Sequence, residues 1–188
     1  DSTGHVQAAT WDAAQKIPTY NLRNILTYKP GAGGIDFLWA NLSTTQQQYL
    51  NLPLGSSTAD AKGLLRVNYL RGDQSQELQN GGGFRNRNSV LGDIVNSNPV
   101  FVGTQDYGYS LQSSGLSSVE KNSYREFRKT SEYLNRVGGL SPTAMISVGA
   151  NDAMMHSFLA NTGVERVAYI PNSVFTNLSA LSPRQYSH

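Results

Sequence analysis

Three apolar runs near the end of the chain, Met145 to Val148, Met154 to Ala160 and Val164 to Ile170, are separated only by Ala150-Asn151-Asp152-Ala153 and Asn161-Thr162-Gly163. Connections that short join antiparallel strands and leave no room for a crossover helix, so the three runs must form a meander in one sheet. The middle run is apolar at both parities, with Met155 and Leu159 on one side and Met154 and Phe158 on the other. That pattern predicts a sheet covered on both faces, as sheets stacked face to face provide. A β-propeller, with small antiparallel blades packed radially, is one such arrangement, and a sandwich is another.

A second constraint lies upstream, where FRNRNSVLGDIVNSNPVFVG runs from Phe84 to Gly103. Asn96-Ser97-Asn98-Pro99 is turn chemistry, since Asn and Ser bond nearby backbone and Pro99 keeps Asn98 out of the helical region. Val100, Phe101 and Val102 then read as a strand buried on both faces, expected beside the Ile146 strand. At roughly 40 to 50 residues per blade, the residues after Phe84 hold one blade or little more. The fold class expected is therefore mainly β with short helices, either a β-propeller left incomplete in this chain or a sandwich. Residues 84–188 are the first blade region with an inserted helix at about 117–137, and residues 1–83 are its leader.

Within the leader, Leu22 to Tyr28 alternates as a half-exposed strand, Lys29 to Gly34 is a loop, and Ile35, Phe37 and Trp39 suggest a returning strand. Ser43 and Gln46 form a capping box for a helix to about Leu50. A second helix is expected from Ser57 or Thr58, with Leu64, Val67 and Leu70 on its apolar face and Gly72 as its left-handed cap. Asp73 to Gly83 is rich in Gln and Gly and reads as a mobile linker. Ser117 and Glu120 form another capping box, opening the inserted helix, in which Glu132 and Arg136 are an i,i+4 pair; Gly138-Gly139 and Pro142 stop it.

Composition narrows the partners. Among 188 residues only 15% are charged and the net charge is +2, too little to imply a polyanion, so nucleic acid is disfavoured. The absence of cysteine removes disulfides, thiolate catalysis and Cys-ligated zinc from this chain. No apolar run reaches the roughly 20 residues of a membrane span, and no signal-peptide pattern opens the sequence, so any leader peptide would lie outside it.

The strings GDIVNSNPVFVG (Gly92 to Gly103) and ISVGANDAMMHSFLANTGVERVAYIP (Ile146 to Pro171) together resemble the C-terminal domain of the PilY1/PilC family of type IV pilus biogenesis proteins. Arg85, Arg87 and Leu91 fit the family's lead-in, and WDAAQKIP, Arg23, Phe37, Trp39, Leu42 and VNYLRGD (Val67 to Asp73) fit its approach to that domain. The resemblance covers nearly the whole chain. It implies the N-terminal part of a modified β-propeller in an exported bacterial protein at the cell surface or pilus tip. There it would act without catalysis, assisting pilus assembly, opposing retraction, supporting twitching motility and attaching to host cells. Minor pilins at the tip, the pilus machinery and host receptors such as integrins are the partners implied. Calcium is expected in the full-length family domain but at no residue here, because no D-x-[DN]-x-[DN]-G series occurs. Further blade repeats and an Asp-rich loop are expected past His188. The blade half alone is shared with quinoprotein-like repeats, which makes a quinone-dependent dehydrogenase propeller the alternative.

The family's Asn-Asp-Gly hairpin is Asn151-Asp152-Ala153 here, which places a β-carbon where the turn can need a positive φ. Arg71-Gly72-Asp73 spells a cell-attachment tripeptide; Gly72 as a helix cap, with Arg71 favourable at the helix C-terminus, accounts for the same residues. A host-attachment module acting through this tripeptide alone is the further reading. His5, His156 and His188 are too scattered to pair as metal ligands, and His156 is expected to be a hydrogen-bonded strand residue. Asp93, Asp106 and Asp152 read as turn residues, and Arg85 and Arg87 as ion-pair or strand-edge residues. No catalytic constellation, cofactor motif or metal site is recognised.

Overall fold

Residues 8–111, 115–138 and 143–184 are described by a computed structural model of the chain. Ile25–Lys29 (β1) and Gly33–Asp36 (β2) form the hairpin predicted across the glycine loop, in register Thr27 to Ile35. Ser43 opens Thr44–Asn51 (α1) with the full capping box: its hydroxyl accepts from Gln46 N, and Gln46 Oε1 accepts from Ser43 N. The next helix starts later than expected, at Gly63–Arg71 (α2), because Asn51 Oδ1 takes the Gly63 amide and Asp60 Oδ1 takes the Lys62 amide. Gly72 then caps it in the left-handed region, at φ 115°.

Asp73 to Gly83 is not a linker. Glu77 within it is fully buried, the short 3-10 turn Leu78–Asn80 follows, and Leu78 N donates to Phe84 O. What the composition hides is the ion pair from Glu77 to Arg87, 2.8 Å apart, which fixes this segment against α2.

Val100–Val102 (β3) is the strand foreseen after Pro99, and Phe101 pairs with Ile146 as expected. Its burial was misjudged: Val100 and Phe101 are exposed, because β3 is an edge strand with a neighbour on one side only. The single inserted helix is two. Ser118–Phe127 (α3) and Ser131–Gly138 (α4) are divided at Arg128 to Thr130, where Thr130 turns its hydroxyl oxygen to the Tyr133 amide as a fresh cap. The Ser117/Glu120 capping box is present. Arg136 does not pair with Glu132; its guanidinium stacks on Phe127 and Tyr133 and donates to Gly103 O. The stop at Gly139 and Pro142 lies outside the described residues.

Met145–Gly149 (β4), Met155–Leu159 (β5) and Glu165–Ile170 (β6) are the meander, antiparallel throughout. The whole is one open six-stranded mixed sheet in the order β2-β1-β6-β5-β4-β3. Among the described strands only β1 and β6 pair in parallel, so the leader is joined into the same sheet as the blade region. On one face, Ile25, Ala168 and Ile170 pack with Leu50 of α1, Val67 and Leu70 of α2, and Phe175 and Leu178 of the 3-10 helix Asn172–Leu181. Phe37 meets Phe175 edge-on at 6.0 Å. The second face is not covered by another sheet: Tyr28 and Met155 are exposed, and α3 and α4 flank only the Met145 and Leu159 end across a cleft of about 800 Å³. The described residues therefore form a helix-backed sheet, and the sheet is not closed into a propeller.

The β4–β5 turn does require a left-handed residue. Ala153 adopts φ 68°, Ala153 N donates to Ala150 O, and Ala150 N donates to Met154 O. An L-residue there is strained by about 1 kcal/mol. Ala153→Gly is expected to raise stability by roughly that amount, measured as an increased urea midpoint at unchanged slope.

Candidate functional site

The strongest electrostatic feature is a buried cluster that links four separate pieces of chain. Arg23, just before β1, donates through Nε to Glu165 Oε2 at 2.7 Å and through Nη2 to Glu165 Oε1 at 2.8 Å. Glu165 opens β6, and its Oε1 also meets His156 Nδ1 at 2.7 Å. His156, in β5, turns its Nε2 to both oxygens of Asp152, at 3.1 and 3.0 Å. Asp152 in turn accepts the amides of Met154 and of Gly92. Arg23 is 4% exposed, Glu165 5% and His156 0%.

These contacts set the protonation of His156. Burial alone would push the imidazole down, but hydrogen bonds and charge from Asp152 and Glu165 outweigh it and raise its pKa to about 9. The ring is therefore an imidazolium at neutral pH, donating from both nitrogens. Glu165 is likewise opposed by burial, yet His156 and Arg23 hold its pKa below the usual value. Two cations and two anions then balance inside the fold, as a buried ionic group requires. His156 stacks on Phe158 at 5.8 Å and offers no free basic nitrogen.

The cluster also staples the Leu91 to Ser97 loop to the meander. Besides Gly92 N to Asp152, Asn151 N donates to Asp93 O and Gly149 N to Ser97 Oγ. Gly92 sits so close to Asp152 that a β-carbon on it would be 2.5 Å from the Asp152 amide nitrogen. Beneath this loop lies a polar cleft of about 250 Å³, lined by residues that include Arg85, Asn88, Asp93 and Asp152.

Arg71, the first residue of the attachment tripeptide, faces inward. It is 6% exposed, donates through Nη1 to Phe37 O and through Nη2 to Tyr20 O and Arg23 O, and accepts Arg23 Nη1 on its own carbonyl at 2.9 Å. Gly72 is the foreseen cap, its amide donating to Tyr69 O, while the Asp73 amide donates to Asn68 O and Asp73 Oδ1 accepts the Ser75 amide. The tripeptide thus ends a helix, and its guanidinium is spent on backbone carbonyls.

Of the other sequence candidates, Arg87 forms the ion pair with Glu77 and lies 3.7 Å over the Tyr69 ring, and Arg85 Nε donates to Leu181 O. Asp106 accepts the Gly108 amide and pairs with Arg128. His5 and His188 lie outside the described residues. The reading of His156 as a hydrogen-bonded strand residue holds, but its carboxylate partner Glu165 and the arginine behind it were missed. Within VERVAYIP, Glu165 looks like an ordinary outward residue; a charged residue opening an otherwise apolar strand was the available signal. No group of three or more His, Asp or Glu among the described residues is arranged to hold a metal ion, and Asp152 and Glu165 spend their oxygens on His156, Arg23 and backbone amides.

No family model and no solved structure matches the chain. Curated relatives do. The chain is 39% identical over 166 residues to the type IV pilus biogenesis factor PilY1 of Pseudomonas aeruginosa strain PAK, a match covering 87% of this chain and 13% of that protein. It is 33% identical over 191 residues to PilY1 of strain UCBPP-PA14, covering 98% and 15%. With a PilY1 homolog of Xylella fastidiosa it shares 34% identity over 146 residues, covering 78% and 11%. The chain thus spans about an eighth of the length of the curated relatives it matches.

Proposed function

The chain belongs to the PilY1 family of type IV pilus biogenesis factors, and from that premise we propose that it is a structural part of a non-enzymatic pilus assembly factor and tip adhesin. In this reading the protein is exported, acts at the pilus tip with minor pilins and the pilus machinery, promotes surface piliation, opposes retraction and serves twitching motility and host-cell attachment. The observation that carries it is the 39% identity to a pilus biogenesis factor over 87% of this chain. The buried cluster supports the non-enzymatic part, because its histidine is enclosed and already bonded at both nitrogens. The half-covered sheet supports a propeller blade, since a second blade stacked on Met155, Val167 and Leu159 would complete its cover. Calcium in this reading belongs to residues other than those of this chain. No helix among the described residues is long and apolar enough to cross a membrane.

The test is deletion of the gene, followed by complementation with the wild-type protein. Loss of surface pili and twitching, restored by the complement, is the expected result; normal piliation in the deletion strain overturns the reading.

A further inference from the structure

Among the described residues six strands make the sheet, and β3 closes one end of it with β4 as its single neighbour there. An edge strand leaves a row of backbone donors and acceptors without a ladder. On β3 that row is not empty. The side-chain carboxamide of Gln105 folds back on it, Nε2 donating to Phe101 O at 3.2 Å and Oε1 accepting from Gly103 N at 2.6 Å. In a parallel pair, one residue of the neighbouring strand makes this same double contact with the carbonyl and amide that flank the residue opposite. A carboxamide is chemically a peptide group, so Gln105 stands where the backbone of a seventh strand would stand.

We propose that the free edge of β3 accepts an extended strand from another polypeptide, with Gln105 as the plug that the incoming strand displaces. The chemistry of the plug identifies the occupant: what replaces a peptide-like group with the same donor and acceptor is a peptide backbone. The strand itself is apolar, with Val100 and Phe101 both exposed on it, which suits a partner strand carrying alternate apolar side chains. The carboxamide of the plug is held by β3, but the Gln105 backbone is not part of the sheet. It is positioned by the insertion, where the Tyr133 hydroxyl donates to Gln105 O, Tyr107 N donates to the Tyr124 hydroxyl, and Arg128 pairs with Asp106. α3 and α4 thereby set how readily the edge opens. Gln105 and Phe101 are solvent-exposed whereas Gly103 is buried, so the strand that displaces the carboxamide must itself take over the Gly103 amide.

The test uses the full-length protein and a fluorescein-labelled peptide, Lys-Thr-Val-Thr-Val-Thr-Val-Lys, followed by anisotropy. Gln105→Ala is expected to bind the peptide about tenfold more tightly than the wild type, from the loss of two competing hydrogen bonds. Gln105→Glu, which keeps the acceptor for Gly103 N and loses the donor to Phe101 O, is expected to fall between them. Replacing the central valine of the peptide by proline removes a ladder donor and should abolish binding. Hydrogen exchange supplies the second readout: the Gly103 amide exchanges faster in Gln105→Ala and is protected again by the peptide, with β5 amides unchanged. Equal affinity of wild type and Gln105→Ala, survival of binding with the proline peptide, or faster exchange in β5 each overturns the proposal. Self-association of Gln105→Ala without peptide assigns the edge to a second copy of the chain and overturns it as well.

Discussion

Glu165→Ala is expected to destabilise the protein by about 3–5 kcal/mol, the usual consequence of removing one partner from a buried ionic group. The loss is large because Glu165 serves two cations at once, Arg23 through both oxygens and His156 through Oε1. Its removal leaves Arg23 and an imidazolium facing each other with Asp152 as the remaining anion. Urea titration followed by near-ultraviolet dichroism measures the change, and a loss below about 1 kcal/mol would mean that the cluster is not paired as described. The same cluster fixes a pH dependence. The pKa of His156 is raised from 6.5 to about 9 in the fold, so its contribution is complete below pH 6.5 and is lost as the pH rises through 9. Linkage puts that loss at about 3 kcal/mol for the wild type. Glu165 has a lowered pKa, so its contribution is present above the ordinary carboxylate value of 4.5 and fades as the pH falls below it. Stability should therefore plateau between about pH 4.5 and 6.5 and decline on the alkaline side, and Glu165→Ala should flatten most of that alkaline decline.

Arg71→Ala is the second large effect, expected to cost about 3 kcal/mol. It strips hydrogen bonds from the carbonyls of Tyr20, Arg23 and Phe37, which lie at the junction of the β1–β2 hairpin and α2. Lysine is not a substitute, since one ammonium does not reproduce the planar fork that reaches three carbonyls. A fall in the urea midpoint is the readout. This bears directly on any attachment assay: loss of cell binding in Arg71→Ala would report loss of fold. Asp73→Glu keeps the buried guanidinium and the Gly72 cap, and is the variant that isolates receptor binding from folding.

Local chemistry made much of the fold legible. Both capping boxes, the Gly72 cap, the β1–β2 hairpin and the three-stranded meander are written in contiguous residues, and each formed as its residues dictate. What was not legible depends on partners distant in the chain. The alternation of Leu22 to Tyr28 reveals a strand but not its parallel docking on β6, and the Gln- and Gly-rich composition of Asp73 to Gly83 conceals Glu77 under Arg87. Val100 to Val102 reads as an interior strand because apolar runs do not distinguish a central strand from an edge that is itself an interface. At the site, Asp152 and His156 were identified separately as turn and strand residues. Arg23 and Glu165 lie 142 positions apart in sequence, and only the sheet brings them together.

The parallel contact of β1 with β6, Ile25 against Ala168 and Thr27 against Ile170, also carries a consequence for when this fold can appear. A chain that emerges from a ribosome or a translocation channel N-terminus first presents β1, β2, α1 and α2 long before their sheet exists. Leu50, Val67 and Leu70 can meet Ile25, Phe37 and Leu42 of the same early segment, but their cover is complete only when Ala168, Ile170, Phe175 and Leu178 have come out. Closure of so long a loop is slow and comes late. The early segment therefore waits with its hairpin and helices incompletely covered until β6 arrives, and in that interval its core side chains are open to proteases.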